Sequence, residues 1–321
     1  MLNSLTLPSY LLAKSQGGLD IILNPFQLYT IPLEQWVTAA VDFLVNKFRP
    51  IFQAIRFPIS LALQGIDWVF LFIPPLIMLI IIGLIAWRIA GRGIAIYSII
   101  ALTFIGFLGA WEQAMVTLSL VVTSVLFCVV VGIPVGIACA SSDRLERFVR
   151  PILDAMQTLP LFVYLVPIVM LFGIGQIPGV IVTVIVAVPP LIRLTNLGIR
   201  QVSPEVVEAA VAFGSTQKQV LWEALLPLAT PTILAGMNQT IMMALGMVVV
   251  ASMISVEGLG MTVLQGVQSL NVGLAFQGGL GIVLITIMLD RITQSLGKPN
   301  NPKHRNHSVA SHSGLSTKTQ G

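Results

Sequence analysis

Charge is missing from long stretches of this 321-residue sequence. No Asp, Glu, Lys or Arg occurs from Gln157 to Ile192, from Ala224 to Val256 or from Gly258 to Leu289. A helix needs about 20 mainly apolar residues to cross a hydrocarbon layer, and these runs supply them. Composition agrees: 56% of the residues are hydrophobic and 9% are charged, against roughly a quarter charged in soluble domains. A soluble fold of this size has too little interior to hide so much apolar side chain. The fold class expected is an all-α integral membrane protein. The N-terminus lacks the basic, apolar, small-residue order of a cleavable signal peptide, so insertion is expected to rely on the membrane helices themselves.

Seven segments qualify as spans, near 69–87, 94–110, 114–140, 159–174, 177–193, 229–254 and 273–290. Pro160, Pro167, Gly173, Gly175, Pro178, Gly179, Pro189 and Pro190 interrupt the stretch from 159 to 193, and Gly175 with Pro178 supplies the turn that divides it in two. The basic residues alternate between connections. Arg88 and Arg92 fall in the first, Arg144, Arg147 and Arg150 in the third, and Arg193, Arg200 and Lys218 in the fifth. Arg291, Lys298, Lys303 and Arg305 follow the last span, while the connections around Glu112, Gln176 and Glu257 hold no lysine or arginine. The positive-inside rule then puts the 194–228 connection and the C-terminus in the cytoplasm, and an odd number of spans puts the N-terminus outside.

Residues 1–68 read as too polar to span. Within them Val37, Val41, Leu44, Val45, Phe48, Phe52 and Ile55 recur at helical spacing beside Asp42, Lys47, Arg49 and Arg56. That pattern suits either a helix lying in the membrane interface, kinked or divided at Pro50, or one packed on the protein's outer face. The organisation expected is an extracytoplasmic segment over 1–68, two accessory membrane helices over 69–110, a membrane core over 111–297 carrying a loop at 200–228, and a disordered cytoplasmic tail over 298–321. His304, His307 and His312 all fall in that tail. Cys128 and Cys139 would lie about 16 Å apart along one helix, beyond disulfide reach, and read as packing residues. The Gly132–Gly136 spacing allows close helix approach, within the chain or between copies; Gly175–Gly179 reads as a turn.

The fifth connection is the one segment that resembles a site. Ser203-Pro204-Glu205 is a helix-start pattern: an N-cap hydroxyl, proline in the first turn, then an acid at the positive end. Glu208, Ala209 and Ala210 continue with good helix formers. Gly214 can close this helix in the left-handed conformation, and Ser215 can cap a second, through Lys218, Trp222 and Glu223 to Pro227. The expected product is a helix–glycine–helix hairpin whose alanines let another protein approach the backbone. A hairpin that merely links two spans has the same pattern.

Glu208-Ala209-Ala210, Gly214 and Leu226-Pro227 resemble the EAA loop of ABC-transporter membrane subunits. In that family the loop carries a coupling helix that docks in a cleft of the cytoplasmic ATPase. One position departs, Ala224 standing where the family commonly has a branched aliphatic. Further segments, AWEQAMVTLSLV from Ala110, RPILDAMQTLPLFVYLVPIVMLFGIGQIPG from Arg150, PTILAGMNQTIMMALGMVVVASMI from Pro231 and LDRITQSLG near the end, are similar to the permease subunit of glycine betaine/L-proline ABC transporters. The resemblance covers roughly residues 24 to 297. It implies the type I importer transmembrane fold in a bacterial inner membrane, two copies around a central path, a cytoplasmic ABC ATPase and an extracytoplasmic substrate-binding protein. It also implies osmoprotective uptake of glycine betaine, proline betaine or L-proline, with choline or another quaternary amine as the alternative.

No GxxxxGK[ST] occurs in the chain, so ATP and Mg are expected on the partner ATPase, with no cofactor, metal or catalytic residue on this one. Nothing points to nucleic acid; lipid is the remaining partner. A quaternary ammonium is usually held by aromatic faces, and Trp111, Phe162, Tyr164 and Phe172 are available, though packing or interface anchoring accounts for each more simply. An ion-coupled carrier would more often place an acid inside its spans; the uncharged runs favour a gate driven from outside. Gln157, Tyr164, Asn238 and Gln239 are the candidates for lining the path.

Overall fold

A computed structural model describes residues 32–296, and every regular element in that range is helical. The tail and its histidines lie outside the described residues. The chain parts into two compact units at Arg49/Pro50. The described part of the first unit belongs to helix α1 (Leu33–Phe72), which holds Pro50 and Pro58 inside its range. Phe43 there meets Phe48 edge-on with ring centroids 6.4 Å apart, and Lys47 Nζ lies 5.3 Å from the Phe43 ring.

Lys47–Phe72 is 26 residues long and apolar enough to cross a membrane, against the reading of residues 1–68 as too polar. Arg56, Ser60, Gln64 and Asp67 recur at helical spacing on one side of it and line a cavity of about 230 Å3 with Gln176 and Pro178. The helix stops at Ile73-Pro74, so the expected first span begins late. Helices α2 (Pro75–Ala90) and α3 (Arg92–Phe107) have 16 residues each, about 24 Å at 1.5 Å per residue. That is shorter than a hydrocarbon core of about 30 Å. They pack as a hairpin against each other and against α11 (Val272–Leu296).

Besides α1 and α11, three helices are long and apolar enough to cross: α4 (Trp111–Ser141), α7 (Gln176–Arg200) and α9 (Gln217–Ser252). The span expected at 159–174 is different in kind. Helix α5 (Asp143–Thr158) is amphipathic, α6 (Leu161–Phe172) has only 12 residues, and the two meet at 102°. Helix α8 (Pro204–Ala212) lies between α7 and α9, and α10 (Leu259–Gln268) between α9 and α11.

Helix α7 is the centre, packed along α4 and along α9. Pro189 and Pro190 sit inside it without ending it, and Thr240 Oγ1 on α9 donates to the nearby Ala187 carbonyl at 2.8 Å. Its approach to α4 is set by absence of side chain: a Cβ at Gly136 would sit 2.5 Å from Thr195 Cβ. The Gly132–Gly136 pattern therefore serves packing within the chain. Cys128 and Cys139 are buried in the same helix. Gly175 forms the turn before α7, with φ +119° and its N–H donated to Ile254 at 3.1 Å.

Candidate functional site: the α8 hairpin and the faces it adjoins

After α7 ends at Arg200, a three-residue turn leads into α8, with Pro204 in its first turn and Glu205 beside it. Ser203 takes the N-cap position, but its hydroxyl makes no cap bond; the Val206 N–H goes to the Ser203 carbonyl at 3.1 Å. The far end closes as the sequence predicts. Gly214 has φ +86°, its N–H donates to Val211 at 2.9 Å, and Ser215 N–H donates to Ala210 at 3.1 Å. These two bonds satisfy carbonyls the helix end leaves open.

The second arm departs from expectation at both ends. Its cap is Thr216, not Ser215: Gln219 N–H donates to Thr216 Oγ1 at 3.4 Å, and Thr216 N–H donates to Gln219 Oε1 at 2.9 Å. The Thr-Gln-Lys-Gln order is a capping-box signature that the sequence displays. Nor does Pro227 end the arm. A π-turn over Val220–Leu225 precedes it, with Leu226 N–H bonded to the Leu221 carbonyl, and α9 runs on to Ser252. In α-geometry the Pro227 ring would press on the Glu223 carbonyl; the wider turn gives it room. Only residues 201–216 thus lie between two membrane-length helices.

Helix α8 buries none of its residues and packs chiefly on Val220–Leu225. Glu208, Ala209, Gly214 and Pro227 are exposed, and Ala210 and Leu226 half-buried. Glu208 makes no ion pair among the described residues. Apolar side chains stand out around it: Val211 is 56% exposed, Phe213 91% and Trp222 67%. Exposed apolar clusters of this kind are features of surfaces that meet another protein or a membrane.

The four path candidates separate. Gln157 Nε2 approaches Met243 Sδ at 3.9 Å, and Gln239 lies one turn earlier on the same helix. Ala235, Gln239, Met242 and Gly246 form an exposed stripe of α9, and Met243, which Gln157 approaches, borders it. Asn238 turns away and accepts from Thr293 Oγ1 at 2.8 Å, tying α9 to α11. The Tyr164 hydroxyl donates toward Met156 at 2.7 Å and Ala155 at 3.1 Å, carbonyls at the end of α5, and so pins the elbow. Phe172 is buried edge-on against Phe52, and Trp111 lines a cavity of about 650 Å3 with Glu112, Gln113 and Glu257.

One polar cluster was not read from the sequence, where its arginines served only to orient the chain. Arg200 lies 2.7 Å from Asp143 and 3.1 Å from Glu146, and donates to the Cys139 carbonyl at 3.0 Å. Its Nε donates to Asn196 at 2.9 Å, and Asn196 in turn donates to Glu146 at 2.9 Å. Further along, Arg193 pairs with Asp154 at 2.7 Å. The available signal was acids on α5 answered by Arg193, Asn196 and Arg200 at helical spacing on α7.

A family model described as "Binding-protein-dependent transport system inner membrane component" matches residues 132–299, from within α4 past α11. The glycine betaine/proline betaine transport system permease protein ProW of Escherichia coli (strain K12) is 53% identical over 282 residues, 88% of this chain and 80% of that protein. The chain belongs to this family of transport permeases. The permease is also 45% identical over 270 residues to the glycine betaine transport system permease protein OpuAB of Bacillus subtilis (strain 168), covering 84% of this chain and 96% of that one. Its fold is shared with the MetNI methionine ABC transporter crystallised in inward-facing conformations, with TM-score 0.51 and 22% identity over 59% of the permease and 92% of that chain. The permease therefore has the type I importer transmembrane fold and is a multi-pass membrane protein of an ABC transporter. The matched region takes in the whole α8 hairpin and the last third of α4.

Proposed function

We propose that this permease is the membrane-spanning subunit of an ATP-driven, binding-protein-dependent importer that takes up glycine betaine, proline betaine or L-proline as compatible solutes. The observation that carries the substrate class is its 53% identity, over most of its length, to a permease named for glycine betaine and proline betaine. Two copies enclose the path, in a bacterial inner membrane, and an extracytoplasmic binding protein delivers the solute. A separate ATPase holds ATP and Mg, and α8 docks on it; Glu208, Ala209, Ala210, Gly214, Leu226 and Pro227 form and carry that coupling hairpin. Gln157 and Gln239 line the path. The arginine pattern from α4 onward supports a cytoplasmic α8, and this placement does not depend on how many elements cross before α4. Lys47–Phe72 adds a segment able to cross, which removes the parity that put the N-terminus outside.

The test is reconstitution in proteoliposomes with the ATPase and binding protein. Uptake of labelled glycine betaine should require ATP and the binding protein and survive collapse of ion gradients. Uptake confined to choline would move the substrate class. Full uptake by a variant carrying bulky or oppositely charged residues at both Glu208 and Gly214 would remove α8 from the coupling role.

A further inference from the structure

Helix α8 is joined by the chain to α7 and α9, but no covalent connection near it reaches α5. Side chains make that third link. Arg200, the last residue of α7, stands four positions before Pro204, and its guanidinium reaches the end of α4 through the Cys139 carbonyl and the first turn of α5 through Asp143 and Glu146. Asn196 closes the ring by accepting from Arg200 and donating to Glu146. A second fastening, Arg193 to Asp154, holds α5 eleven residues further on, about 16 Å along its axis. At that end Tyr164 locks the elbow, and Gln157 meets Met243 of α9.

We infer that Arg193 and Arg200 are positioning residues that clamp α5 to α7, so that α5 carries movement of α8 to the Gln157–Met243 contact. This rests on α8 being the docking helix. Stability is a weak account of the Arg193–Asp154 pair, whose side chains are 41% and 56% exposed, since such pairs contribute little to folding. Their placement has a different consequence. A tilt of α8 moves α9 through the backbone and α5 through the clamps, and the two meet again at Gln157 and Met243. With the clamps cut, α9 still follows α8 while α5 lags, and ATP is hydrolysed without opening the path.

The experiment reads solute imported per ATP hydrolysed in proteoliposomes, alongside the amount of ATPase retained by the purified permease. R200M should keep the ATPase while import per ATP falls about tenfold, the size of an ordinary coupling between sites. R193D and D154R should each lower the ratio, and the charge-swapped double variant should return it to within about threefold. That pair also reads the clamp should R200M fail to fold. A cysteine pair at Gln157 and Met243 should change its cross-linking yield on ATP addition, and R200M should abolish that change; a merely structural role would leave it. An unchanged ratio in R200M and in both single variants overturns the clamp, as does loss of the ATPase from R200M. Failure of the docking reading has another signature: F213D would keep its ATPase whatever the ratio in R200M.

Discussion

Gly214 and Gly136 both favour glycine, for unrelated reasons. At Gly214 a Cβ would meet nothing within 4 Å, so only the backbone angle matters. Asparagine visits that left-handed region and valine does not; the cost to an ordinary residue is about 1–2 kcal/mol. G214N should therefore support ATP-driven uptake within about twofold of the parent, while G214V should lose most of it through an unwound corner. At Gly136 the helix is regular and the obstacle is Thr195. G136L should lower the melting temperature of the purified permease, from overpacking that costs about 1–3 kcal/mol. Uptake separates the first pair, thermal unfolding the second substitution.

At the scale of the element, α8 is short, wholly surface-lying and dependent on its two closures. Replacing Val211 and Phe213 with aspartate leaves both closures in place and removes the apolar surface, so the double variant should fold but retain about tenfold less ATPase on purification, as for loss of an interface anchor. T216A should leave docking intact yet speed amide exchange over residues 217–222, since an N-cap is worth about 1 kcal/mol. The helix start at Pro204 and the left-handed Gly214 were legible because each depends on a few adjacent residues. The Thr216 cap is equally local, but Ser215 beside it offers a competing hydroxyl. The π-turn was not legible: proline reads as a helix end unless the flanking chain has reason to stay helical, and here the packing of α9 against α7 supplies it. The α5–α6 elbow hides for a similar reason, because an apolar run looks like one span until the chain bends by 102° at Leu159–Pro160. Asn238 and Gln239 are neighbours with opposite fates, and only the packing of α11 separates them.

For the whole molecule, the uncharged runs disclosed the class, but the expected spans did not hold before α4 or at 159–174, where the chain bends. A mean over residues treats Arg56 and Asp67 as obstacles to crossing, whereas the helix sets them on one side against a polar cavity. The orientation of the core is testable without reference to that region. Cys128 and Cys139 are buried, at 0% and 2% exposure, so the native thiols give little background to an impermeant maleimide. Ser269, in the exposed turn between α10 and α11, and Lys218, at the tip of the hairpin, lie at opposite ends of the core if α9 crosses between them. In right-side-out vesicles S269C should label directly and K218C only after lysis. The reverse pattern would put α8 outside, beyond the reach of any cytoplasmic ATPase, and the coupling role would fall with it. Agreement would leave α8 where ATP hydrolysis can act on it, with α9 and the clamped α5 as the two routes from there to the path.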